Sequence, residues 1–164
     1  MSQAKVENEF RLEDVWNASN AIIMFTNQNK LDLKLGWAFE DVVDALEKPV
    51  KRYNEERDKM VRKFGAAVKN DKDQPTGRYN ITDQEGFQKA TDKLGDNKVK
   101  VEFYPIDMNE VEKAGLKMNG QELRPMRKLG VLVMLPDEPE VNGEGEAKDI
   151  KTPDEKKSEM TPVK

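Results

Sequence analysis

The sequence predicts an α+β fold: a long antiparallel helical hairpin packed with a small lobe of two to three strands, followed by a disordered C-terminal tail. Three observations predict it. Apolar residues recur at helical spacing from Leu31 to Gly65. Short alternating segments around Tyr79 and Val101 have the period of strands. The stretch 137–164 is rich in Pro, Gly, Glu and Lys with almost nothing to bury, a composition that cannot offset the entropy lost on ordering. Residues 1–9 therefore read as a flexible polar N-terminus, 10–136 as a single α+β domain and 137–164 as a disordered acidic tail.

The first helix begins near Phe10. Leu12, Val15, Trp16, Ile22 and Ile23 fall at helical spacing with Phe25 beside them, and Glu13 and Asp14 sit where the helix dipole favours acids. It ends near Asn27, and the polar connection from Thr26 to Lys30 turns the chain back antiparallel. Trp16, Ile22 and Phe25 are then placed to cover Trp37, Phe39 and Leu46.

The long helix over Leu31 to Gly65 is the organising element. Phe39, Val42, Leu46, Pro49, Tyr53 and Met60 follow by threes and fours, with only Glu56 interrupting, which makes a seam for another helix. Leu35, Val43, Val50, Val61 and Phe64 widen that seam into the stripe a covered helix needs. On the other side Asp44/Lys48, Glu47/Lys51, Glu55/Lys59 and Asp58/Arg62 set an acid four residues before a base, worth about 0.2–0.5 kcal/mol per pair. Arg62 and Lys63 suit the last turn, and Gly65 is expected to close the helix in the left-handed conformation. Pro49 costs about 3 kcal/mol inside a helix. Because the apolar series keeps its phase from Leu46 to Tyr53, the sequence predicts a bend there and not a break.

Residues 66–77 lack a pattern and read as an exposed loop, and Arg78 to Ile81 as a short strand. Thr82 and Glu85 have capping-box spacing and open a helix whose face is Phe87, Ala90 and Leu94, stopped at Gly95. Val99, Val101 and Phe103 form the clearest strand, with 78–81 as its expected partner, parallel or antiparallel. Asp107 and Glu110 cap another short helix, stapled by Ile106 and Val111 and ended at Gly115. Asn119-Gly120 fits either a hairpin turn or a helix cap backed by Glu122, and Pro125 limits that helix to about one turn. Val131 to Leu135 reads as a strand covered on both sides.

The chemistry is excluded more firmly than it is suggested. The chain has no cysteine and no histidine, which removes disulfides, the usual zinc sites, the thiol nucleophile and the commonest general base. Serine occurs only at positions 2, 19 and 158, with no histidine to activate it. Glu55, Glu56 and Asp58 point in different directions on a helix and are interleaved with Arg57, Lys59 and Arg62. No Gly-rich phosphate loop follows a strand. Neither a catalytic residue nor a cofactor or metal site is therefore expected, and the protein reads as a non-enzyme.

Net charge narrows the partners. Residues 137–164 hold nine acids and five bases, which accounts for the whole formal charge of −4, so the preceding chain is neutral. A neutral body argues against general nucleic-acid binding, and it permits self-association without charge repulsion, so a homo-oligomer is compatible with it. Residues 47–63 do carry seven bases against four acids, a bias read mainly as a solvated helix face. The opening MSQAKVENEF has no apolar run and no stretch is long enough to span a bilayer, so a cytoplasmic protein without a membrane partner is expected. Candidate interaction residues are Lys51, Arg52 and Arg62 in the basic stretch and Tyr104, which falls out of phase with Val99, Val101 and Phe103 and precedes Pro105.

LEDVWNASNAI, KLDLKLGWAFEDVVDALEKPVKRYNEERDKMVRKFG and the shorter GRYNITDQEGFQKATDKLGDNKVKVEFYPIDMNEVEKAGLKMNGQEL follow one another in an order that resembles a widespread set of small proteins encoded by tailed bacteriophages. In that set the long helix carries a Tyr-x-x-x-Arg segment and a Lys-aromatic-Gly step, matched by Tyr53, Arg57 and Lys63-Phe64-Gly65. The similarity covers roughly residues 12–125 and transfers no catalytic residue; Pro49 and Val131 to Leu135 depart from it. The resemblance implies a phage protein made in the host cytoplasm and adds Tyr53 and Arg57 to the interaction candidates; the amphipathic hairpin, a long rigid ridge on a neutral body, then points to protein–protein contact as a virion or assembly component. The alternative is an early regulator that binds and inhibits a host enzyme or nucleic-acid-processing machine.

Overall fold

The computed structural model describes residues 4–136; the expected disordered tail lies outside the described residues. The element order is β1 (Val6–Arg11), α1 (Leu12–Gln28), α2 (Leu33–Phe64), β2 (Gly65–Lys69), β3 (Pro75–Ile81), α3 (Gln84–Gly95), β4 (Lys98–Phe103), β5 (Ile106–Asp107), α4 (Met108–Lys113), α5 (Gly120–Leu129) and β6 (Leu132–Val133). The fold is α+β, a long helix pair packed with three small strand pairs. No helix among the described residues is long and apolar enough to cross a membrane.

The helix pair follows the sequence pattern closely. Asp32 caps α2, its carboxylate accepting from the Leu35 amide at 2.8 Å. The helix then runs without interruption through Pro49. Leu35, Phe39, Val42, Leu46 and Tyr53 form its buried line. Against them α1 sets Val15, Ala18, Ile22 and Phe25, with the rings of Phe25 and Phe39 5.3 Å apart. Met126, Leu129 and Val131 from the C-terminal end close the core from the side of α1 and α5.

Five local expectations are corrected. Residues 6–9 of the expected flexible N-terminus join the fold: β1 pairs antiparallel with β4, Val6 opposite Phe103 and Phe10 opposite Val99, because Val6 and Phe10 alternate with acids that stay outside. Glu7 and Glu102 there find Lys100 and Lys5 as ion-pair partners. The supposed loop 66–77 is instead the hairpin β2–β3, so β3 pairs with β2 and not with β4. Gly65 does not end α2 in the left-handed region; its φ of −119° is extended and feeds β2 directly. Asp83, not Thr82, caps α3 by accepting from the Gly86 amide at 2.9 Å, and the Thr82 hydroxyl donates to Phe64 O. Finally, Leu132–Val133 is a two-residue strand parallel to Ile106–Asp107, and Met134 beyond it is exposed.

Asn119 resolves as a helix cap. Its side chain accepts from the Gln121 and Glu122 amides while the Glu122 carboxylate accepts from the Asn119 amide, a full capping box. That cap carries α5 through Pro125 for ten residues, beyond the single turn expected, to Gly130 at φ 81°. The Val131 and Gly130 amides donate to Met126 O and Arg127 O there, the paired closing bonds for which a left-handed glycine is suited.

Candidate interaction surface

The long helix has two opposite lines of residues, and the outer one is where the protein can meet something else. Leu33, Trp37, Glu40, Asp44, Lys48, Lys51, Glu55, Asp58 and Arg62 follow by threes and fours, half a turn away from the buried line, and all are exposed. At its N-terminal end this line is apolar. Leu33 is 67% and Trp37 61% exposed, one turn apart. Ile23 and Met24, at the end of α1 and so at the same end of the hairpin, are also exposed.

Local bonds fix this tip. The Asn29 amide and side chain both donate to Phe25 O and hold the turn after α1. Lys34, next to Leu33, pairs with Glu110 of α4. The hydrogen bond that Lys34 Nζ donates to the Glu110 carboxylate, and then the charge of Glu110, raise the Lys34 ammonium above its ordinary range. The apolar end of α2 is thus presented on a backbone anchored at three points.

Charge is segregated along the same face. Glu40, Asp41, Asp44 and Glu47 fill the stretch before Lys48, and in the remainder Lys48, Lys51, Arg52, Lys59, Arg62 and Lys63 outnumber the acids Glu55 and Asp58. The four acid-to-base pairs expected four residues apart do not form; the ion pair on this helix is Glu56 with Lys59, at 2.6 Å. Among the described residues Lys48, Lys51, Arg52 and Arg62 make no ion pair.

The structure divides the interaction candidates. Lys51, Arg52 and Arg62 lie on the outer side of α2, and Tyr104, after β4, is 58% exposed. Tyr53 is 5% exposed, so its ring belongs to the interior and not to a partner. Burial raises its phenol above the usual tyrosine range, the charge of Glu13 adding to it. The Arg57 guanidinium lies 5.8 Å from the centre of the Trp16 ring, which ties it to the same inner contact. Trp37, expected beneath Trp16 and Ile22, is instead outside. The signal was its phase: Leu35 and Phe39 are spaced by four on the buried line, and Trp37 stands between them, facing away.

A smaller apolar cleft of about 370 Å³ opens between α4 and α5, lined by Met108, Val111, Leu116, Met118 and Leu123 with Glu112 and Lys117 at its edge. Among the described residues no group of three or more acidic side chains is placed to hold a metal ion. Comparison with protein-family models, with curated proteins and with solved structures finds no match.

Proposed function

We propose that the protein acts without catalysis, by binding a protein partner on the outer face of α2, and that it does so in a bacteriophage as a virion or assembly component. The observation that carries the binding reading is Trp37, 61% exposed on a rigid helix with Leu33 one turn away. Tryptophan is usually well covered, and at protein interfaces it is among the residues that contribute most, since a large ring is desolvated at little entropic cost. The phage setting is supported by the sequence resemblance alone.

A photo-crosslinking residue in place of Trp37, with one in place of Tyr104 as control, tests the surface in infected cells. The expected result is a discrete protein adduct from position 37 that is lost when Leu33→Ser is added. Equal capture of the same protein from both positions sinks the assignment to this face. Mass spectrometry of purified particles tests the virion setting, where the protein is expected among the stoichiometric components.

A further inference from the structure

We infer that the outer face of α2 pairs with a second copy of itself, antiparallel, about a two-fold axis passing between Asp44 and Lys48. This rests on the protein-binding reading above and names its partner. The starting point is an electrostatic oddity. Glu40/Asp44 and Lys48/Arg52 set like charges four residues apart on one helix, an arrangement that weakens a helix where alternating signs would support it. These two like-charge pairs are locally unfavourable, although Asp44/Lys48, Glu47/Lys51, Glu55/Lys59 and Asp58/Arg62 stand at favourable spacing, and a complementary surface offsets them.

The complement is the same face reversed. A parallel copy would set acid on acid and base on base. An antiparallel copy centred between Asp44 and Lys48 sets Asp44 against Lys48, Asp41 against Lys51 and Glu40 against Arg52, each contact occurring twice, as two-fold symmetry requires. Register is fixed by repulsion: one turn either way sets Asp44 on Asp44 or Lys48 on Lys48. In the allowed register Trp37 lies opposite Glu55 of the second copy, between its Arg52 and Lys59. The aliphatic stems of those two side chains can cover the indole while their charges face its ring.

The geometry accommodates such a pair. The 32 residues of α2 make a rod of about 48 Å, and every residue named on this face is exposed with α1, α3 and β4 packed elsewhere on the helix. Exposed ion pairs individually contribute little, so the six act mainly by setting orientation and register. Apolar cover comes from Leu33 and Trp37, both of which the antiparallel arrangement contributes twice.

The test uses charge reversal in the full chain. Asp41→Lys with Asp44→Lys sets base against base at the Asp44–Lys48 and Asp41–Lys51 contacts, and Lys48→Glu with Lys51→Glu sets acid against acid at the same contacts. Sedimentation velocity at low salt, up to about 200 μM, reads the dissociation constant by mass action. The expected result is a parent dimer that weakens as salt rises, at least a tenfold weaker dimer for each variant alone, and recovery to parent affinity or tighter in their equimolar mixture. Circular dichroism and thermal midpoints matching the parent show that both variants fold. A monomeric mixture overturns the inference, as does a variant that dimerises alone as well as the parent. Should the mixture stay monomeric while position 37 still crosslinks a different protein, the self-pairing fails and the binding function stands.

Discussion

The indole of Trp16 on α1 meets the ring of Tyr53 on α2 with centroids 5.4 Å apart and planes tilted by 40°. Trp16 Nε1 also donates to Asn54 Oδ1 at 2.9 Å, and Arg57 lies over the same indole. These contacts join the start of one helix to the middle of the other. Tyr53→Ala removes a buried ring and is expected to cost about 3 kcal/mol or more, whereas Arg57→Ala loses a cation–π contact at a partly open site, about 0.5–1 kcal/mol. Urea unfolding of both variants measures the difference. If Arg57→Ala left stability unchanged but abolished partner binding, Arg57 would return to the interaction surface.

Tyr53 also gives a pH dependence with a definite sign. Its phenol is raised above the ordinary 10.0, first by burial and then by Glu13. The folded state therefore prefers the neutral phenol, and its contribution is intact below pH 10 and lost as pH rises through the raised value. Lys34 and Lys59, raised by Glu110 and Glu56, lose their pairs in the same direction above their ordinary range. The expected outcome is a thermal midpoint that falls above pH 10 less steeply in Tyr53→Phe than in the parent. Identical slopes would mean that the phenol ionises in the folded state as easily as in the unfolded one.

The helix pair was legible because one physical signal dominates it. A buried line of Leu35, Phe39, Val42, Leu46 and Tyr53 cannot be written in a sequence without showing its period; the helix ends were less legible, since α1 has no side-chain cap and Gly65 leaves α2 in an extended conformation. The strand pairs were much less legible. The end of β3 alternates from Arg78 to Ile81 and was legible, but its first half is exposed and β2 is short and alanine-rich, so their pairing was not, and pairing between distant strands such as β1 and β4 leaves no local trace. The surface was legible only in part: Trp37 stood out of phase, but an aromatic residue is so often buried that its phase was outweighed. The charge segregation along α2 was hidden by counting pairs four residues apart, which records neighbours and ignores which end each sign occupies.

Gly65 marks the point where α2 passes into β2. Its backbone is ordinary, so the restriction is one of space: a Cβ there would stand 2.6 Å from Val61 O and 3.2 Å from the Tyr79 Cβ. Gly65→Ala is expected to destabilise by about 1–3 kcal/mol through overpacking, and to loosen the β2–β3 hairpin first. Gly36, inside α2 with nothing within 4 Å, is the opposite case. Gly36→Ala should stabilise by about 0.5–1 kcal/mol because it removes backbone entropy from the unfolded chain. Chemical denaturation of the two variants should therefore move in opposite directions, and a shared direction would contradict the spatial argument.

Glu122 presents a sharper test, because it is both cap and buried charge. The residue is 2% exposed; one carboxylate oxygen accepts from the Asn119 amide at 2.9 Å, and the other, Oε1, has no hydrogen-bond partner. A buried acceptor left unpaired costs about 1–3 kcal/mol, more when charged. Glu122→Gln can keep an oxygen on the Asn119 amide and replaces the orphaned charged atom by a neutral one, so stability at neutral pH should hold or rise by up to about 1 kcal/mol. Glu122→Ala loses the cap contact and leaves a void, and is expected to cost about 1–2 kcal/mol. Asn119→Ala, which strips the bonds to the Gln121 and Glu122 amides, should cost about 1 kcal/mol. The decisive comparison is Gln against Ala at position 122: if both destabilise equally, the charge itself is being used, and the unpaired oxygen must interact favourably with its surroundings.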